Sequence, residues 1–397
     1  MQNVENFLKY TKRDMFKEEF VTAAISVMII ILVLAILAYV YYMRTLESRE
    51  CSLMTSLYST NKSYITPIDT TKEEFSYTLK DYYINTAYNC CSGGSYKNDY
   101  VDLCPLVNVI KQGVRCLDFE IYSIDDQPVV ATSTVPNYYI KETYNSVPFS
   151  SVMSTIVNNC FAYSTAPNPT DPVLLHLRIK STNQKMLTNC SQIFKQYDNF
   201  LLGSHYSYEY TYSSQVTDPS LNVVNDTNVN DVYYTHNLGN VKLSELTGKI
   251  IIIVDRLNTA FMDNAEFYEY VNMTSNSMFM RALNYYDVKF TPDMNELQEY
   301  NKKNMTIAMP DVGTDPENPS GVICREMGCQ LVAMRYQKFD ANLEENILFF
   351  DTAGSAFVLK PLKLRYIPET IQATAENPPQ MSFETRTITT DYYSIQT

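Results

Sequence analysis

The residues in this sequence best suited to chemistry are few. Asp118 and Glu120 alternate within GVRCLDFEIY (113–122), and a period of two puts both carboxylates on one face of a strand. Two carboxylates so placed either ligate a hard cation or pair with a cation of the protein's own. There are only three histidines. His176 lies between Leu175 and Leu177, the setting of a hydrogen-bonded core histidine rather than a catalyst. His205 and His236 fall in a Tyr/Ser/Asn/Thr-rich stretch with no nucleophile motif beside them. No GxSxG, P-loop or HExxH occurs. The nine cysteines (51, 90, 91, 104, 116, 160, 190, 324 and 329) form no CxxC pair and no Cys/His spacing typical of zinc. An oxidising compartment would permit disulfides, but their pairing cannot be read from spacing. Five Asn-x-Ser/Thr sequons, at Asn61, Asn189, Asn225, Asn272 and Asn304, are about what chance gives in so Asn-, Ser- and Thr-rich a chain.

These groups need elements to position them. Short apolar runs at 114–121, 173–179, 249–254 (KIIIIV) and 331–336 read as strands. The third is continuous and β-branched, as in a strand buried on both faces. Helical patterns separate them, which predicts parallel βα units. With 397 residues, one α/β barrel of about 250–300 residues would take most of the chain. Residues 203–240 lack periodicity and read as an inserted surface loop or irregular hairpin. From 367 onward Pro368, Pro378 and Pro379 mark an extended C-terminal tail.

The N-terminal third adds a different signal. Residues 20–43, FVTAAISVMIIILVLAILAYVYYM, carry no charge, and about 20 such residues cross the hydrocarbon core. Tyr39, Tyr41 and Tyr42 sit where an interfacial aromatic belt belongs. A cleaved signal peptide fits poorly, because the run is too long and nineteen residues precede it. Lys9, Lys12, Arg13 and Lys17 on one flank, against Arg44 and Arg49 on the other, predict an N-terminal tail (1–19) on the cytoplasmic or inner side. Residues 44–76 read as a polar stalk. Hydrophobic residues are 45% of the chain and the net charge is −13. That balance excludes disorder and a phosphate-binding basic footprint, and so nucleic acid as a partner.

Several stretches, in order, resemble the catalytic barrel of phosphoinositide-specific phospholipase C. They are YYINTAYNCC (82–91), GVRCLDFEIY (113–122) running on through 127–130, VLLHLRIKSTNQKM (173–186), the strand at 246–254, GCQLVAMRYQ (328–337) and GSAFVLKP (354–361). The last two point to the eukaryotic form with its two-part barrel, and the likeness covers about 77–366. It implies a (β/α)8 TIM-type barrel, here preceded by one transmembrane helix. In that family two histidines do acid–base work, and an Asn with three carboxylates holds Ca²⁺. Carried over residue by residue, the histidine positions are Tyr88 and Thr132. The Asn and two carboxylates are kept as Asn89, Asp118 and Glu120, while the third carboxylate is Arg178. The phosphate-side lysines fall at Ile253 and Asp255, and the headgroup Arg and Tyr at Ile307 and Met309. Cys116 and Cys329 fall where the family also has Cys, which implies core thiols.

The resemblance therefore implies a vestigial site. Arg178 would pair with Asp118 or Glu120 where a metal should sit. The expectation is a membrane-anchored, catalytically inactive phospholipase C-like protein that needs no cofactor. Its partners would be the bilayer, through 20–43, and other proteins in an assembly; a virion membrane of a large DNA virus is one such setting. The alternatives are a non-cleaving binder of inositol phosphate or lipid headgroups, and a divergent phosphodiesterase using other residues.

Overall fold

The computed structural model describes residues 2–135, 139–203, 206–207, 209–211, 222–223, 233–235, 237–367 and 385–396. Eight parallel strands follow one another round a nearly closed barrel. They are β1 (Tyr82–Ala87), β2 (Cys116–Ile124), β3 (Val173–Ile179), β4 (Ile250–Asp255), β5 (Met273–Ser275), β6 (Met280–Asn284), β7 (Met305–Met309) and β8 (Leu331–Met334). Ladders run β5-β4-β3-β2-β1-β8-β7-β6, so the one unpaired seam lies between β5 and β6. The sequence placed β3 at its observed bounds and β2, β4 and β8 to within a few residues.

Alternation along these strands separates two environments. Leu117, Phe119, Leu175, Leu177, Ile252 and Val254 point outward into the layer under the helices. Cys116, Leu174, Ile251, Ile253, Ile307 and Leu331 point inward and fill the barrel. Towards the C-terminal strand ends the inward positions turn polar, at Asp118, Glu120, His176 and Arg178, all buried. That end is the mouth, where barrels of this type carry their sites. Gly113 turns the chain into β2 with φ +72°, and a Cβ there would lie 3.0 Å from Ile65, so both conformation and space select glycine. Arg115 is wholly buried outside the barrel and donates to the Cys160 carbonyl at 3.1 Å and the Asn168 side chain at 2.7 Å.

The stretch 44–76 is not a free stalk. One helix, α1, runs from Gln2 to Thr60, and its C-terminal part buries Leu46, Met54 and Tyr58 on the barrel. Ile65, Ile68 and Phe75 are buried after it. These anchors are too sparse to form an apolar run, so the segment looks polar in sequence. A disulfide joins Cys51 of α1 to Cys104 of α2 (Leu103–Lys111), with Cα atoms 5.8 Å apart. The other seven cysteines are buried and free, Cys116 and Cys329 among them.

Elsewhere the described parts of 203–240 form three short antiparallel strands, Glu209–Thr211, Asn222–Val223 and Tyr233–Thr235. In the separate unit from Tyr366 onward, Thr387–Thr389 pairs with Ser394–Gln396 as a hairpin. The end of the expected extended tail thus turns back on itself.

At the α1 contact Glu50 faces Asp99, and a Cβ at Gly94 would lie 2.5 Å from an oxygen of each carboxylate, so both side chains would have to shift to admit one. Burial and the Asp99 charge push the Glu50 carboxyl up to about 8. The native state therefore holds a proton here that the unfolded chain has already released. This contribution to stability is complete below the ordinary Glu range and lost as pH rises towards about 8. Thermal melts should show a midpoint that falls between about pH 5 and 8, and Glu50→Gln should remove that part of the fall. An unchanged pH profile in Glu50→Gln would refute the assignment.

Candidate functional site at the barrel mouth

The mouth is organised around one guanidinium. Arg178 stands opposite Glu120 in the β2–β3 register, and His176 stands opposite Asp118. Arg178 Nε donates to Asp118 Oδ1 at 2.8 Å and Oδ2 at 3.0 Å. Its two terminal nitrogens donate to Glu120 Oε1 at 2.7 Å and Asn89 Oδ1 at 2.8 Å. Asn89 reaches the group from the turn after β1, in a left-handed conformation with φ 46°. The Tyr88 ring covers the guanidinium face, with Cζ 4.4 Å from the ring centroid. All three nitrogens are thus satisfied in plane while an aromatic face closes the site, the geometry that suits arginine over lysine.

The remaining oxygens are also taken. Glu120 Oε2 accepts from the Tyr122 hydroxyl at 2.6 Å, the Ser133 amide at 2.9 Å and the Ser133 hydroxyl at 3.1 Å. His176 lies 3.5 Å from Asp118 Oδ1 through Nδ1 and 2.9 Å from Ser275 Oγ through Nε2, so both ring nitrogens are occupied. Burial alone would raise Asp118, but Arg178 and His176 outweigh it and hold the carboxyl below its ordinary value. Burial likewise opposes the charge on Arg178, yet Asp118, Tyr88 and Glu120 lift it well above its ordinary range. Burial raises the Tyr88 hydroxyl and lowers the nearby Lys180 ammonium.

The structure therefore brings Tyr88, Asn89, Asp118, Glu120 and Arg178 together. Thr132 is buried close by, but its hydroxyl donates to the Tyr96 carbonyl at 3.0 Å. Asp255 caps a turn, accepting from the Leu257 amide at 3.1 Å and Asn276 Nδ2 at 2.7 Å. Ile253 and Ile307 are core residues inside the barrel, and Met309 lines the mouth. His205 and His236 lie outside the described residues. Sequence reasoning missed Tyr122, Ser133, Ser275 and Lys180. Two of these were within reach: Tyr122 and Lys180 lie two residues beyond Glu120 and Arg178 on the same strand faces. The opening bounded by Tyr88, Tyr96, Glu120, Arg178, Lys180 and Met309 holds about 30 Å³, on the order of one water.

A parallel eight-stranded barrel with a polar cluster at its C-terminal mouth defines the general class. The sequence matches the phosphatidylinositol-specific phospholipase C X domain over residues 75–255 and the Y domain of the same enzymes over 253–363. The chain belongs to the phosphatidylinositol-specific phospholipase C family. Its barrel is similar to L. pealei PLC21, with TM-score 0.52 and 19% identity over 74% of this chain and 38% of that one. S. officinalis PLC21 gives 0.51 and 19% over 75% and 39%. The chain thus spans about two fifths of either relative, and the likeness shows the fold. No curated protein matches the chain.

Removing the guanidinium should leave two buried carboxylates without a counter-charge. Arg178→Ala is expected to destabilise the protein by about 3–5 kcal/mol in denaturant titrations. Combining Arg178→Met with Asp118→Asn and Glu120→Gln should cost much less, because no uncompensated charge remains. Equal losses for the single and the triple variant would show that the charges are not what holds this site together.

Proposed function

We propose that this protein is a membrane-anchored, catalytically inactive member of its family that acts through its surface, as a structural or interaction component of an assembly. The observation carrying this reading is the Arg178 guanidinium clasped by Asn89, Asp118 and Glu120, at a position where the resemblance implies a metal-binding carboxylate. Cleavage by this family's route needs a base for the inositol hydroxyl, an acid for the leaving group and cations for the developing charge. Tyr88 and Thr132 stand at the two histidine positions. A phenol raised by burial and a hydroxyl already bonded to a carbonyl are poor proton carriers near pH 7. Asp118, Glu120 and Asn89 fit a cation, but the cation they hold is the protein's own.

The headgroup-binding alternative is less well supported. About 30 Å³ at the mouth is far below the several hundred Å³ of a typical small-molecule pocket. Anchoring rests on residues 20–43: the helix from Phe20 onward is long and apolar enough to cross a membrane, and none of its apolar stretch is covered by the rest of the described chain. A virion membrane is one assembly that would use such a part, with the domain across the bilayer from the basic N-terminal tail.

Calorimetry should find no Ca²⁺ site tighter than about millimolar, and a micromolar site lost in Asp118→Asn would contradict the reading. In turnover assays with phosphatidylinositol and its phosphates, neither the natural chain nor Tyr88→His/Thr132→His should release product. Restoring one pair restores little when groups act as a unit. Release above a heat-killed control, abolished by Asp118→Ala, would make the protein an enzyme after all.

A further inference from the structure

Three contacts set the direction of the docked half of α1. Cys51 is bonded to Cys104, Thr55 Oγ1 accepts from Asn108 Nδ2 at 3.0 Å, and the Asn61 carbonyl accepts from Gln112 Nε2 at 3.1 Å. Residue numbers rise together on both helices, so α1 and α2 run parallel. One face of α1 therefore lies against the start of α2, where Asp102 is the N-cap and its carboxylate accepts from the Cys104 amide at 3.3 Å. The Cys51 and Cys104 sulfurs and an oxygen of Asp102 all lie within 4.8 Å of one another, and the three side chains are half-buried. The other seven cysteines are buried, so this is the pair that a small thiol or an ion reaches from solvent.

Two thiolates and a carboxylate are the donors of a borderline-soft dication such as Zn²⁺, not of Ca²⁺ or Mg²⁺, which take oxygen ligands. Glu47 stands one turn before Cys51 on the same face of α1, close enough to Asp102 for the two carboxylates to repel each other. It is placed to give the fourth ligand. Glu50 and Asp99 add negative charge alongside, offset in part by Arg49. A tetrahedral zinc holds two sulfurs about 3.8 Å apart. Rotation of the two cysteine side chains reaches that spacing with their Cα atoms left 5.8 Å apart, so the helices need not move.

We propose that Cys51, Cys104, Asp102 and Glu47 form a zinc site whenever the Cys51–Cys104 bond is reduced, so that metal replaces the disulfide in pinning α1 to the barrel. A dithiol reductant supplies the two electrons and two protons. Its own sulfurs join in a disulfide as the Cys51–Cys104 bond breaks and both thiols form. Zn²⁺ then displaces the two thiol protons to solvent as two zinc–sulfur bonds form. Four protein ligands close the coordination sphere, which makes the site structural rather than catalytic. The junction thus holds through the disulfide in an oxidising compartment and through metal in a reducing one. No zinc spacing shows in the sequence because the donors come from two helices about fifty residues apart. Neither the span over 20–43 nor the chemistry of the mouth bears on this site.

The full chain in detergent micelles serves for the test. Treatment with a dithiol, then removed by gel filtration without oxygen, should free two thiols beyond those of the untreated chain. Co²⁺ should then give a thiolate-to-cobalt band and the visible bands of a tetrahedral ion, saturating at one Co²⁺ per chain, and Zn²⁺ should bleach them. The untreated chain should show no such bands. Zn²⁺ should raise the melting midpoint of the reduced chain by a few degrees and leave that of the untreated chain unchanged. Asp102→Asn and Glu47→Gln should each weaken Co²⁺ binding by about tenfold or more. A bond that resists the dithiol in the folded chain, or a reduced chain without the cobalt bands, would overturn the proposal. Both are read on the natural chain, so a misfolded variant cannot mask them. Bands that survive in Cys51→Ser/Cys104→Ser would come from the buried thiols and overturn it as well, and full affinity in either carboxylate variant would overturn the mixed donor set.

Discussion

The Arg178 guanidinium sets the character of the barrel mouth. Asp118 and Glu120 are fully buried on one strand face, and two like charges so placed are tolerated only with a counter-charge between them. A divalent cation is one solution and an arginine on the neighbouring strand is another; the register that puts Arg178 opposite Glu120 supplies the second. Once the guanidinium is there, the surroundings are constrained. Tyr88 covers its face, Asn89 must reach it from a left-handed turn, and Tyr122 and Ser133 complete Glu120. The result is a hydrogen-bond network centred on Arg178 that leaves about 30 Å³ open at the mouth.

The strands, the turn glycine before β2 and the inward–outward alternation keep the phospholipase C barrel, and the charged groups at its mouth bond to one another. Fold alone does not carry function; the bonds that Arg178 makes to Asp118, Glu120 and Asn89 are what bear on it here.

The long helix is the second organising element. It is apolar and uncovered at one end and docked at the other, so one helix carries both a stretch apolar enough to cross a membrane and part of the barrel's outer layer. Its cross-link to α2 and the proton held at Glu50 belong to that docking, not to the mouth.

Period-two patterning, the continuous isoleucine run of β4 and the apolar helix over 20–43 were legible in the sequence, because the surroundings of an element dictate its composition directly. Motif order was also legible, and with it the barrel and the positions of Tyr88, Asn89, Asp118, Glu120, Thr132 and Arg178. Other features lay beyond it. Residues 44–60 look like a stalk because Leu46, Met54 and Tyr58 are too far apart to form a stripe, and only docking shows what they touch. The Cys51–Cys104 pairing needed two helices brought side by side in parallel, and cysteine spacing carries no such information. The role of Ser133 depends on a loop folding back over the mouth, that of Ser275 on β5 pairing beside β4, and the direction of α1 depends on its register with α2. Sequence determined which groups face inward, because alternation is a property of each strand; tertiary structure decided which of them meet, because that depends on the distances between strands, loops and helices far apart in the chain.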